Sequence, residues 1–316
     1  MKLFRLLPLA LAFCASVAAA DYPDRALKLV VPYSAGGAAD AQARLVAQKL
    51  GARLGQTVVV ENKPGASGTI GAASVAHAAA DGYTLLYDAT AFAINPSLYK
   101  KLSYDSRRDF LPISLISLTP NLLVVPAQSP HQRIEDLTTA ARKGHLTFGT
   151  PGRGTAQHIA AAWYAQGNKL ELTHVPYKGG APALTDLMGG QIDMMFSNMA
   201  ASYPLVKSGK LRALAITSPE RIAALPDLPT VAESGVPQYS VYEWNGVLAP
   251  AGVPPEVAAR IEQALRATLQ DPALRHSLQE LGAQPVGSTA AEFRAFIDDQ
   301  MERSARILAE AGIHKE

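Results

Sequence analysis

The sequence predicts an α/β protein of two lobes, each a mainly parallel sheet flanked by helices, joined by crossover hinge strands. Three observations carry this prediction. Short, nearly all-apolar runs alternate with amphipathic ones, as expected where helices cover both faces of a parallel sheet. The alternation occurs in two series, separated by apolar extended stretches. Finally, about 295 residues beyond the leader, in a chain of 48% hydrophobic composition, exceed what one simple core usually holds.

Taken in order, the chain opens with Lys2 and Arg5, an apolar run from Leu6 to Ala15, and then Ala18, Ala19 and Ala20. This is the pattern of a secretory signal peptide over residues 1–20, with cleavage near Ala20/Asp21 and export of the remainder. The alternative of a membrane anchor fails on length, because the apolar run is too short to span a bilayer. Cys14, the single cysteine, falls inside the leader. Lipid attachment there would need a small residue just before it, where Phe13 stands, so the exported protein is expected to lack both disulfides and thiolate chemistry. Without Lys2 and Arg5, 27 basic residues face 27 acidic ones. A neutral balance gives no reason to expect nucleic acid or an anionic membrane surface as partner.

The first series runs LKLVVP, a helix over 40–54, TVVVEN, a helix over 67–80 and YTLLYD. In its first helix Ala43, Val46, Ala47 and Leu50 recur at spacings of three and four, which places them on one face; Asp40 is positioned to cap it. After LLVVP the second series runs HLTFGT, a helix over 155–166, LTHVPY, a helix over 181–188, IDMMFSN, a helix over 200–208 and LRALAITS. PNLLVVPAQSP and YEWNGVLAPAGVPP, each closed by prolines, read as the hinge crossovers. The tail holds helices over 255–270 and 290–311, the first opened by Pro254-Pro255 and ended by Asp271-Pro272. Packing of the tail on the first lobe makes that lobe discontinuous: residues 21–123 plus 232–316, against 124–231 for the second.

The chemistry lies in glycine turns that lead into helices. SAGGAAD and GTPGRGTAQH each place uncovered amide groups at a helix N-terminus, an end that attracts anions, although either turn could serve as a bare strand-to-helix connection. Thr150 and Thr155 add hydroxyls to the second. Ligands of open α/β sheets bind outside the carboxyl ends of the strands, so two facing lobes would present two such ends across one cleft, a receptor shape for a small carboxylate. PGASGTIG is a third turn, with Ser67 and Thr69 as donors or helix caps. A dinucleotide site is disfavoured because Gly152-Arg153-Gly154 continues to Gln157 rather than glycine, and no P-loop pattern occurs. Gly65-Ala66-Ser67-Gly68 misses the nucleophile-elbow pattern of serine hydrolases. The seven histidines show no H-x-x-x-H or H-x-H spacing, which disfavours a metal site. His158, one turn into its helix, either backs the anion site or packs. Asp88 and Asp193, at strand ends, read as surface caps, with an amino group on a ligand as the alternative.

Across essentially the whole exported chain, VVPYSAGGAAD, VVVENKPGASGTIGAASVA, INPSLYKKLSYD, HVPYKGGAPALTDLMGGQID, GKLRALAITSPER, LPDLPTVAESG and WNGVLAPAGVP resemble the Bug family, the periplasmic solute receptors of tripartite tricarboxylate transporters. The resemblance implies a type II periplasmic-binding-protein fold that closes on a small organic acid and docks on membrane transporter subunits, as a monomer without cofactor or metal. It implies a first set of ligand-binding residues at Tyr33, Ser34, Gly37, Ala38, Ser67, Gly68 and Thr69, with Thr90 and Ala91 contributing. The second set falls on Thr150, Gly154, Thr155, His158, Tyr177, Ser197 and Asn198. Two departures stand out: Ala39 replaces the hydroxyl residue frequent before the aspartate of the first loop, and Asp88 stands where small residues are common. A sensor of the same fold that reports to a kinase is the second reading. An enzyme is the third, with neither a triad nor a metal constellation in view.

Overall fold

The computed structural model describes residues 22–313 and 315; the leader expected over 1–20, Cys14 included, lies outside them. The first series folds as β1 (Leu27–Val31), α1 (Ala38–Leu54), β2 (Val58–Asn62), a 3-10 turn (Ala66–Gly68) running into α2 (Thr69–Ala76), β3 (Thr84–Ala89) and α3 (Ala91–Leu98). β4 (Phe110–Pro126) then leaves the lobe. The second series comprises α4 (Ile134–Lys143), β5 (Leu146–Thr150), α5 (Ala156–Asn168), β6 (Leu172–Pro176), α6 (Gly180–Met188), β7 (Met194–Asn198), α7 (Met199–Lys207) and β8 (Leu211–Ile216). β9 (Tyr242–Pro250) returns, followed by α8 (Pro255–Thr268), α9 (Pro272–Glu280), β10 (Gln284–Pro285) and α10 (Ala290–Glu310).

In the first lobe β1 lies between β2 and β3, all parallel; in the second, β5 lies between β6 and β7, also parallel. The remaining strands are antiparallel. β4 pairs with β9 from Phe110 to Pro120 and with β7 and β8 from Asn121 onward, while β3 pairs with β9. The expectation of mainly parallel sheets therefore holds for three strands of each lobe. The crossover strands differ for a simple reason: a chain that leaves one lobe along β4 and returns along β9 must run in opposite directions in the two.

Each α1 residue predicted to face inward is buried, and Val46 and Leu50 share a core with Leu27, Leu29 and Leu85. Ile261 and Leu265 of α8 and Leu274 and Leu278 of α9 join that same core. Phe293 and Ile297 of α10 pack with Phe92 and Trp244. The last turns of α10 do something the sequence did not suggest: Ile307 and Leu308 meet Ile159 and Ala162 of α5 together with Ile94 of α3. The tail thus touches both series.

The sequence reading missed α3, α4, α9 and the first half of β4. Pro96 inside α3 and Pro112 inside β4 are ordinary stop signals; Pro112 is tolerated because the β4–β9 register shifts beside it, where no ladder donor is needed. Asp271-Pro272 does end α8, but it also starts α9, with the Asp271 side chain accepting from the Leu274 amide at 2.9 Å and proline in the first turn. α2 stops at Ala76, short of the predicted residue 80.

Candidate functional site

A cleft of about 430 Å³ opens between the two series, outside the carboxyl ends of β1 and β5 where open α/β sheets bind ligands. Its rims touch on both sides. A Cβ added to Gly154 would lie 2.0 Å from Leu98 Cδ1, and one added to Gly282 would lie 2.9 Å from Ala200 Cβ. A larger depression, about 790 Å³, lies behind the second glycine turn among His158, His174 and Lys169. Volume alone favours the latter, but only the cleft receives both glycine turns and the crossover strands.

The first jaw is the turn between β1 and α1. Gly36 takes φ 80°, and its amide donates to Asp40 Oδ2 at 2.9 Å. Asp40 also accepts from Asn62 Nδ2 and Arg44 Nε. Burial pushes its carboxyl up, yet these hydrogen bonds bring it down to about 2. Asp40 therefore holds the loop in shape rather than meeting a ligand. Gly37 caps α1 with no side-chain hydrogen bond, so the first-turn amides, which have no partner within the helix, are left for something else. Beside them the turn Gly65-Ala66-Ser67-Gly68 has φ of 132°, 45°, 53° and 88°. Two of these are non-glycine residues in the left-handed region, at a cost of about 1 kcal/mol or more each. The turn is held by Asn95, whose Nδ2 donates to Ser67 O at 3.0 Å, and by Tyr99, whose hydroxyl donates to Ser67 Oγ at 3.2 Å. Thr90 accepts from the Trp244 amide at 3.0 Å, which ties the start of α3 to β9.

The second jaw spends its polar groups internally. Thr150 Oγ1 lies 2.7 Å from His174 Nε2 and donates to Gly152 O. The Gly154 amide donates to His158 Nδ1 at 3.0 Å. Thr155 is the N-cap of α5: its hydroxyl accepts from the His158 amide and donates to Gly152 O. His158 and His174 stack with centroids 4.1 Å apart. Burial above all, with the neighbouring imidazole and Arg153 adding to it, lowers His158 to about 3; burial and Arg153 lower His174 to about 4.

Of the residues expected at the site, Tyr33, Ser34, Gly37, Ala38, Ser67, Thr90, Ala91, Gly154, Thr155 and Asn198 line the cleft. Gly68, Thr69, Thr150, His158, Tyr177 and Ser197 lie outside its lining. Thr69 Oγ1 donates to Ala66 O at 2.9 Å, Tyr177 donates to Asp186 at 2.8 Å, and Ser197 is buried. The reading of Asp88 as a surface cap is overturned: it is 2% exposed and accepts from the Tyr33 hydroxyl at 2.8 Å and the Ala89 amide at 2.7 Å. Burial pushes its carboxyl up to about 7 against those two bonds. Asp193 instead tethers strands, accepting from Thr147 N and Oγ1 at 2.7 Å each.

Sequence reasoning missed the cleft floor. Gln42, Thr119, Gln157, Glu243 and Asn245 line it, and Gln157 Nε2 bridges Asn121 Oδ1 and Glu243 Oε1. Glu243 Oε2 accepts from Asn198 Nδ2. One signal was available, a lone acid in the otherwise apolar hinge stretch YEWNGVLAPAGVPP.

Residues 42–313 match the model of the tripartite tricarboxylate transporter family receptor. The chain belongs to this receptor family. BugT of Bordetella pertussis is 35% identical over 305 residues, covering 94% of this chain and 93% of BugT. Among solved structures, the periplasmic binding protein BugD is 36% identical with a TM-score of 0.79, over 93% of this receptor and all of that chain. The structure of R. palustris Rpa4515 with adipate is 35% identical with a TM-score of 0.83, over 94% of this receptor and all of that chain. These likenesses span both lobes, so the receptor has the two-lobed architecture of periplasmic binding proteins. No helix among its described residues is long and apolar enough to cross a membrane.

Proposed function

We propose that this receptor captures a small organic carboxylate in its cleft and delivers it to the membrane subunits of a tripartite tricarboxylate-type transporter. The observation that carries the reading is the start of α1. An uncapped 17-residue helix opens its first-turn amides onto an interlobe cleft, and such an end holds an anion without a full cationic charge. A cleft of about 430 Å³ is at the small end of ligand sites, and the relative Rpa4515 was solved with a small diacid. On this reading the protein works in the periplasm, as a monomer, after removal of residues 1–20. Residues 21–123 plus 232–316 form one moving body, residues 124–231 the other, and binding stabilises the closed form by differential affinity. No observation here favours a kinase-coupled sensor.

The test is thermal unfolding of residues 21–316, freed of co-purified ligand by unfolding and refolding, against a broad panel of organic acids. At one hundred times the dissociation constant a true ligand adds about 2.7 kcal/mol, which raises the midpoint by several degrees. The absence of any shift across mono-, di-, tri- and aminocarboxylates would sink the proposal.

A further inference from the structure

The carboxylate on the cleft floor is held by side-chain amides rather than by a cation among the described residues, while Arg153 lines the same cleft. Glu243 lies on β9 opposite Thr119 of β4, where the chain crosses between the lobes. Its two oxygens accept from Gln157 Nε2 and Asn198 Nδ2. For Asn198 the neighbouring backbone fixes the direction of the bond. Asn198 Oδ1 caps α7, accepting from the Ala200 amide at 2.9 Å, which leaves its Nδ2 to face Glu243. Gln157 Nε2 reaches Asn121 Oδ1 at 2.9 Å as well, so the same nitrogen points at both acceptors.

One amide donor on each oxygen suits an ionised carboxylate and leaves lone pairs on both oxygens unused. Burial, Gln157 and Asn198 are the influences on the Glu243 carboxyl, with no cation among them. A partly buried carboxylate met by neutral dipoles is costly, and a matching cation relieves that cost. Burial raises the Glu243 carboxyl above its ordinary range, while the two amides oppose the shift. The opposite feature stands across the same cleft, since the open N-terminus of α1 attracts a negative group.

We propose that Glu243 anchors a cationic nitrogen of the ligand, so that this receptor takes an aminocarboxylate, with its carboxylate toward α1 and its ammonium on Glu243. The proposal rests on the receptor reading and narrows it. A dicarboxylate would bring its second negative group toward Glu243, a like-charge approach that selects against it. Gln157 and Asn198 are positioning residues that hold the Glu243 carboxylate open to the cleft.

Calorimetric titration of refolded, ligand-free protein with length-matched pairs decides the matter: β-alanine against malonate, 4-aminobutyrate against succinate, 6-aminohexanoate against adipate, with α-amino acids of the same lengths. The wild type is expected to bind at least one aminocarboxylate on the order of tenfold or more tighter than its matched diacid. Glu243→Gln, which keeps the shape and removes the charge, is expected to erase that preference while diacid binding stays level or improves. Diacids bound more tightly than every aminocarboxylate, or a preference that survives Glu243→Gln, would overturn the proposal and leave the receptor standing. Binding of neither class overturns the Glu243 assignment, and the receptor reading is then decided by the wider panel of mono- and tricarboxylates. Should Glu243→Gln fail to fold, the ranking in the wild type alone decides.

Discussion

Asp88 shows how one side chain reports on the fold. Its carboxyl keeps a proton up to about 7 in the folded protein, against 3.8 for an ordinary aspartate. Between those values the folded state binds the extra proton, so this group's contribution to stability is present in acid and lost as pH rises from about 4 to 7. At about 1.4 kcal/mol per pH unit, the whole window is worth up to roughly 4 kcal/mol. His158 and His174 work in the other direction. Their folded values near 3 and 4 lie below the ordinary 6.5, so their contribution is present above 6.5 and lost as pH falls. Comparison with Asp88→Asn, which still accepts from Tyr33, isolates the aspartate. In urea titrations at pH 4.5 to 7.5 the variant is expected to gain stability relative to the wild type as pH rises. Parallel curves would place the Asp88 carboxyl in its ordinary range. Nothing local in YTLLYDA announces this burial, because it depends on Tyr33, 55 positions away.

At the scale of elements, the glycine turns were legible and their use was not. SAGGAAD and GTPGRGTAQH do stand at the starts of α1 and α5. Yet α1 leaves its first turn open, whereas α5 is capped by Thr155 and gives the Gly154 amide to His158. The two jaws are unequal, and the difference turns on which side chain happens to fold back. Gly154 has a second duty: at φ 70° it sits against Leu98 of α3 across the rim of the cleft. Gly154→Ala is expected to weaken ligand binding on the order of tenfold by holding the rim apart. Leu98→Ala in that background should restore part of the loss, an interaction a double-mutant cycle reads directly. Independent, additive effects would show that this contact plays no part in closure.

At the scale of the whole molecule, α10 packs against both series of elements. Ile307 is 2% exposed among residues from both lobes, its carbonyl accepts from Gln166 Nε2 at 2.9 Å, and the Arg303 guanidinium lies 5.2 Å from the Trp163 ring centre. Ile307→Ala is expected to cost about 2 to 4 kcal/mol, measured by the denaturant midpoint; a cost below about 0.5 kcal/mol would show that the lobes do not rest on this helix. Hydrophobic periodicity, prolines and glycine turns were enough to determine the two βα series, the face of α1 and the crossover stretches, and the resemblance of its motifs was enough for the family, because each is written in residues close together in the chain. The tertiary structure alone decided which polar groups are spent and which are free. It joined Glu243 to Gln157 and Asn198, buried Asp88 under Tyr33, and turned His158 toward His174 rather than the cleft. Hydrogen bonds between distant residues leave no periodic trace in a sequence, since each is formed only when the sheets and helices that carry its two ends have packed.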